Sequence, residues 1–431
     1  MVAPAPMPRL EIELADTAPG SGQPAARGSA RAEPTGLAEL RSAASSGRDL
    51  YLFVPGWHRD QDSARALADR FFELLSRQLP EPQASVGVTV HWPLFLFPED
   101  DPASTGPARS HGRDFTAGLA AAFPAAGAEL AELGDLLDRR PAQTSDLRRF
   151  HHLASGLVRS PSQAVQDSGP AVNLAADPVQ LCAVAAAMDK PVRPAAQPHD
   201  SNRMLWRGAL SVLRTLVYYE LGNRAGLLGS RVLGPLLARF PAGADEPRIH
   251  LIGHSYGARL AAYALSSLYP NAGQLPLRAR SAVRSLVLLQ PAMSHFTFSD
   301  EQVGNHLRRG ALARAAANVD GPLLSTFSEH DRLLAWWLPT RALLDHQGCE
   351  SLQELSYRWG AMGFDGPQGK TPVSGVVGRV GTRYRFRRRM QYRLDASTVI
   401  RTDRAQLSGA HTDVAHPELT WLVAEASRAE P

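Results

Sequence analysis

Ser255 stands at the centre of Gly253-His254-Ser255-Tyr256-Gly257, the segment whose residue types and spacing best suit covalent chemistry. A short apolar run, Ile249 to Ile252, precedes it, and an Ala/Leu-rich stretch of helical character follows at once. A serine that attacks a carbonyl must stand clear of a sheet on a tight turn, where small neighbours let other backbone approach. Gly253 and Gly257 lie two residues either side of Ser255, the spacing that such a strand–turn–helix requires. The Tyr256 N–H then opens the helix, where the dipole favours negative charge, and is the first candidate oxyanion donor. A Gly/Ser turn alone is common; the strand before it and the helix after it favour the nucleophile.

A serine nucleophile needs a base, and the base needs an orienting acid. The chain order that accompanies this kind of elbow is serine, acid, histidine. Leu323 to Phe327 reads as a buried strand, Ser328 to His330 as a turn, and Asp331 stands just before a helical Leu/Ala/Trp pattern. Asp331 is the candidate acid, with helix N-capping as its structural alternative and Glu329 as the second candidate. Leu394 to Ile400 reads as the last strand, and His411 follows in a small-residue loop, Gly409-Ala410-His411-Thr412-Asp413. His411 is the candidate base; His416, directly before Pro417 and a terminal helix, suits capping or packing, and His330 suits a turn.

An oxyanion hole takes a second N–H from a loop after an earlier strand. Leu50 to Val54 is such a strand, and Pro55-Gly56 turns the chain. Gly56 lets the backbone approach a substrate, and the Trp57 N–H is the second candidate donor. Gly56 and His254 are the candidate substrate-binding neighbours of Ser255. An ordinary strand-to-helix turn also carries Pro and Gly, so this piece counts through its order with the others.

With these residues in view the chain resembles the α/β-hydrolase superfamily, and especially its esterase/lipase branch. The resemblance rests on Val54-Pro55-Gly56-Trp57, Gly253 to Gly257, Ser328-Glu329-His330-Asp331 and Gly409 to Asp413. It covers roughly residues 48–94 and 202–428. It implies a Ser255–His411–Asp331 triad that hydrolyses a carboxylic ester, thioester or amide, with no metal and no organic cofactor. The loop after Gly56 continues Trp-His-Arg-Asp rather than as a run of glycines, which implies the one-glycine type of oxyanion hole. The implied partner is a small-molecule or lipid acyl substrate. Other readings stay open: a peptidase using the same triad, a catalytically silent scaffold acting as an interaction module, and a lipase working at anionic membrane surfaces.

The elements around these residues set the expected architecture. Residues 1–36, rich in Ala, Pro, Gly and Ser, are expected to be disordered apart from an alternating Leu10–Leu14 that suits an edge strand. Residues 37–94 and 201–431 are expected to form an α/β core: a doubly wound, mostly parallel sheet in which strands alternate with helices. Helices are expected over Gly36–Ser46, Asp60–Leu79, Asp300–Asn318 and Arg332–Asp345, and over Ser201–Phe240 with a break at Gly222–Gly229. Strands are expected over Val86–Leu94 and Val283–Leu289, and the exit of the latter, Gln290 to His295, opens toward Ser255. Residues 95–200 interrupt the alternation with helical stretches and Pro-rich ends, which suits a helical cap or lid, or else an accessory helical subdomain.

The 431 residues are 44% hydrophobic with a formal net charge of +4, a modest excess that does not point to nucleic acid. Two cysteines, Cys182 and Cys349, make neither a metal cluster nor a disulfide framework. The N-terminus lacks the pattern of a secretory signal, and no apolar run reaches the ~18 residues of a membrane span, so a cytoplasmic location is expected. The most basic stretch, Arg383 to Arg393, interleaves Arg with Tyr and Phe. That pattern reads as a strand with one solvated face, and alternatively as a peripheral contact with anionic headgroups.

Overall fold

The computed structural model describes residues 6–14, 35–45, 48–56, 61–93, 112–158, 177–188, 201–243, 246–269, 280–300, 309–335, 360–369, 372–401 and 409–429. Eight strands form one sheet: β1 (Arg9–Glu13), β2 (Asp49–Val54), β3 (Ser85–His91), β4 (Ile249–His254), β5 (Val283–Leu289), β6 (Leu323–Phe327), β7 (Val373–Val376) and β8 (Gln391–Asp395). Their order is β1-β3-β2-β4-β5-β6-β8-β7, and every neighbouring pair is parallel. A parallel sheet must be covered on both faces, which explains near-continuous apolar runs such as Leu50 to Val54 and Leu286 to Leu289.

Alternation within the strands divides the core in two. Leu50, Leu52, Val54, Leu251 and Leu288 share one cluster with α7 (Ser201–Leu228) and α9 (Tyr256–Ala264). Tyr51, Phe53, Ile252, Val287 and Leu324 share the other with α2 (Gln61–Ser76) and the terminal helix α11 (Pro417–Ser427). Phe53 stacks on Phe71 at 4.8 Å and meets Phe72 edge-on at 6.2 Å. Truncating any ring of this trio should cost about 3–5 kcal/mol.

The chain runs from β2 to β3 on one side, then returns past β2 to β4 on the other. The crevice at the carboxyl ends of β2 and β4 is therefore the switch point where open α/β sheets hold ligands. Gly56 follows β2 there, and Ser255 follows β4.

The edge strand expected over Leu10–Leu14 is present as β1, and the helix expected over Gly36–Ser46 as α1 (Leu37–Ser45); residues 1–5 and 15–34 lie outside the description. Within 95–200, α3 (Gly112–Gly118), α4 (Gly127–Arg139), α5 (Thr144–Gly156) and α6 (Pro178–Met188) share the core cluster of α7. Phe150 meets Trp206 of α7 edge-on at 5.6 Å, and Trp206 Nε1 donates to Pro141 O at 2.9 Å. No helix among the described residues is long and apolar enough to cross a membrane.

Four local expectations are corrected. Helix α7 runs unbroken through Gly222 to Leu228, then continues as a π turn, Gly229–Leu233, into the short α8 (Gly234–Leu237). The glycines serve close packing against α9 rather than a break: a Cβ on Gly229 would lie 2.2 Å from Leu260 O. The described part of 300–318 forms turns ending in a 3-10 turn, Ala315–Asn318, because Gly310 and Leu312 N–H groups donate to Ser299 O and Thr297 O. Residues 383–387 form no strand and 388–389 turn the chain, and a side-chain hydroxyl replaces a ladder partner: Tyr392 Oη accepts from Arg387 N–H at 2.8 Å. The last strand ends at Asp395, not Ile400, where Asp395 Oδ1 accepts from Ser397 N–H at 2.8 Å and turns the chain. Trp336 and Trp337 lie outside the described residues.

Candidate active site

Ser255 follows β4 directly and N-caps α9 with φ 56° and ψ −122°. Such a conformation in a residue with a Cβ costs on the order of 1–3 kcal/mol and persists only where the surroundings fix it. They do so here. Ser255 N–H donates to Leu289 O at 3.0 Å, and Ser255 O accepts from the N–H groups of Ala258, Arg259 and Ala292. The sharp turn also needs bare backbone beside it. A Cβ on Gly257 would fall 2.1 Å from Val54 O, and one on Gly56 would fall 2.5 Å from the Ser255 Cβ.

Three distant segments converge on this turn. His411 Nε2 lies 2.7 Å from Ser255 Oγ, and His411 Nδ1 lies 2.7 Å from Asp331 Oδ2. A carboxylate only accepts, so Nδ1 carries the ring proton, and Nε2 of the neutral ring accepts from the Ser255 hydroxyl. All three are buried: Ser255 and Asp331 have 0% of their surface exposed, and His411 has 2%. Water therefore competes little for these hydrogen bonds.

Asp331 is well held. Its Oδ1 accepts from Leu334 N–H at 3.1 Å, so the N-capping contact coexists with the histidine contact. Its Oδ2 also accepts from Gln290 Nε2 at 3.3 Å. Gln290, at the end of β5, is fully buried with φ 45°. Its Nε2 also donates to Gly363 O at 2.9 Å, and its Oε1 accepts from Thr326 Oγ1 at 3.1 Å. Gly363 belongs to the short α10 (Met362–Asp365), and its carbonyl also accepts from Ser328 N–H at 3.0 Å. One carbonyl thus ties Gln290 to the turn that carries Asp331. From the sequence Gln290 has only a place at the exit of β5; what sets it apart in the structure is a buried, non-glycine residue in the left-handed region.

The other candidates fall into place unevenly. His254, expected beside a substrate, is fully buried and holds the histidine loop: its Nε2 lies 2.8 Å from His411 O, with the two rings 5.2 Å apart. As the last residue of β4 it sits under the histidine loop, with its Nδ1 beside Gly56. Gly56 lies against Ser255 and His254. Tyr256 opens α9, so its N–H is the first of the helix, while its hydroxyl donates to Tyr218 O at 2.6 Å. Trp57 lies outside the described residues. Glu329 and His330 are exposed on the turn. His416 N-caps α11 and lies 2.8 Å from Asp413, a carboxylate that raises the histidine above its ordinary pKa. Among the described residues no group of histidine, cysteine and acidic side chains is arranged to hold a metal ion.

Comparison of the chain with models of known protein families, with curated proteins and with solved structures gives no match.

Proposed function

We propose that this chain is a serine hydrolase of the α/β-hydrolase type that cleaves a carboxylic ester, thioester or amide. One observation carries the reading: the continuous Asp331–His411–Ser255 hydrogen-bond chain, ending on a strained serine at the sheet's switch point. A buried Ser/His contact alone is a common structural motif. Positive φ at Ser255 and a buried acid fixed by two further donors are what a nucleophile needs and a core serine does not.

In the proposed reaction His411 Nε2 takes the Ser255 proton as Oγ attacks the acyl carbon. Asp331 holds the Nδ1–H tautomer and stabilises the imidazolium that forms. The Tyr256 N–H at the start of α9 stabilises the oxyanion, with Trp57 N–H as the proposed second donor. His411 then protonates the leaving alcohol, thiol or amine. Water, deprotonated by His411, releases the acid and regenerates Ser255.

A fluorophosphonate probe tests this directly, because it phosphonylates activated serines. Wild-type protein is expected to be labelled, and Ser255→Ala and His411→Ala are not. Labelling that survives in Ser255→Ala overturns Ser255 as the nucleophile, and a folded wild type that resists the probe at all concentrations overturns the proposal in favour of a catalytically silent scaffold.

A further inference from the structure

The far edge of the sheet has a surface that the proposed chemistry does not use. Strand β7 is the last in the order and pairs only with β8. Val373, Val376 and Val380 on and just after it are 44%, 58% and 45% exposed. They are three of the five large hydrophobic side chains exposed among the described residues, so the apolar exposure of this molecule is concentrated here.

A ridge of cations adjoins them. Arg379 begins the turn closed by Thr382 N–H donating to Arg379 O at 3.0 Å, with Val380 at its tip. From there the chain runs extended, and Arg383, Arg385 and Arg387 are exposed while Tyr384 and Phe386 between them are half-buried. Alternation puts the three guanidinium groups on one side, with roughly 6–7 Å between successive attachment points. None of these four arginines forms an ion pair or a side-chain hydrogen bond among the described residues. Arginines elsewhere on the surface are commonly matched, as in Arg65 with Glu11 or Arg149 with Glu132. Glu425, beside the ridge, is engaged by Arg428 and by the Tyr384 N–H.

The ridge is also held firmly. Tyr384 and Phe386 stack at 4.9 Å, Tyr384 Oη accepts from Gly378 N–H at 2.8 Å, and Trp421 Nε1 donates to Thr382 O at 2.7 Å. At its far end it runs into Arg388, which shares the buried Asp320 with Arg280 and Arg284.

We propose that this edge docks the protein on an anionic phospholipid surface, with the ridge arginines on headgroup phosphates and Val380 and Val376 in the interfacial layer. A bilayer supplies both halves of the chemistry, phosphate for guanidinium and an acyl boundary for valine. A nucleic acid would satisfy the arginines and leave the valines in water. A second copy paired edge to edge across a twofold axis would set one unpaired cationic ridge close to another. The proposal is independent of the hydrolase reading. Val376 pairs in register with Asp395, which pairs with Phe327, so the valine turn lies at the same end of the sheet as Ser255.

The test is co-sedimentation of the full chain with phosphatidylcholine vesicles, with and without phosphatidylserine, and with a duplex DNA competitor. Wild type and Ser255→Ala are both expected to bind the anionic vesicles, to ignore the neutral ones, and to be released by salt. Each arginine removed should lower the partition roughly fivefold, so the combined Arg383→Gln, Arg385→Gln and Arg387→Gln variant should lose on the order of a hundredfold. Val380→Ser, which leaves the charge of the edge unchanged, should also weaken binding, and Val380→Asp should weaken it further. A native melting curve for each variant establishes that the fold survives. Equal binding to neutral vesicles, no binding at all, or an undiminished triple variant overturns the proposal. Binding that ignores Val380→Asp and is abolished by DNA replaces the bilayer with a nucleic acid.

Discussion

The two ends of one sheet treat buried polar groups differently. At the carboxyl end, partners are matched in a line: Asp331 with His411, His411 with Ser255, and Gln290 bracing the acid. The backbone there departs from ordinary geometry at two buried residues on adjacent strands, Ser255 with φ 56° and Gln290 with φ 45°. At the amino end one buried carboxylate, Asp320, serves three guanidinium groups, and Arg248 pairs with Asp49. Arg389, with φ 58°, also lies there, in a half-buried turn whose N–H donates to Gly321 O. Also near the amino end, His250, the second residue of β4, is fully buried, stacked on Tyr51 at 4.8 Å, with Nδ1 2.9 Å from Ser285 Oγ. Strain and one-to-one pairing fix the positions of single atoms, whereas a shared charge cluster ties strand ends together.

This contrast predicts that substitutions at the carboxyl end change rate more than stability, and substitutions at the amino end do the reverse. Ser255→Ala should lower kcat on a chromogenic ester by on the order of 10⁶ with the melting temperature little changed. A large loss of stability would instead mark Ser255 as a packing residue. Asp331→Asn should lower kcat by roughly 10⁴, because an amide donor at Oδ2 favours the wrong histidine tautomer. Asp320→Asn should cost roughly 1–3 kcal/mol in chemical denaturation and leave kcat within a factor of two or so, since it removes the buried carboxylate that three half-buried arginines share at the opposite end of the sheet from Ser255. An equal loss of kcat would erase the distinction between the two ends.

His250 gives the comparison a pH signature. Burial pushes its pKa down from the ordinary 6.5 to about 4, because the charged ring is poorly solvated there. The folded state thus favours neutral imidazole. Its contribution is complete above pH ~6.5 and is lost as pH falls toward about 4, up to roughly 3 kcal/mol in all. Unfolding midpoints of wild type and His250→Phe across this window should converge as the medium is acidified. Parallel curves would exclude His250 as the group responsible. The smallest effect is expected from Gln290→Ala, roughly a tenfold loss in kcat with KM almost unchanged, because the acid keeps its Leu334 N–H but loses a lateral brace.

Much of the site was legible because each piece is a local pattern. An apolar run, a Gly-flanked serine and a helical stretch specify a strand–turn–helix wherever they occur, and Ser255 follows from them. Asp331 was legible as a residue between a strand and a helix, and the structure gives it both duties, cap and partner of His411. The pieces that no local pattern shows depend on contacts between distant residues. His254 and His411 are 157 positions apart, and no local pattern says that one holds the other's carbonyl. Gln290 reads as one more polar residue after a strand until Gly363 and Asp331 close around it. The unbroken α7 reverses the usual meaning of glycine, since Gly229 is small to admit α9 and not to end a helix.

The sequence by itself determined the alternation of strands and helices, the order of the candidate residues, and the cationic run at 383–393, because periodicity and turn chemistry act over a few residues. That Ser255, His411 and Asp331 meet within hydrogen-bonding distance, that Gln290 and His254 brace them, and that the ridge arginines have no ion-pair partner among the described residues and stand beside exposed valines emerges from the packing of distant segments. Those outcomes depend on which strands become neighbours. Strand order is set by burying both faces of a parallel sheet at once, a global condition that no short stretch of sequence contains.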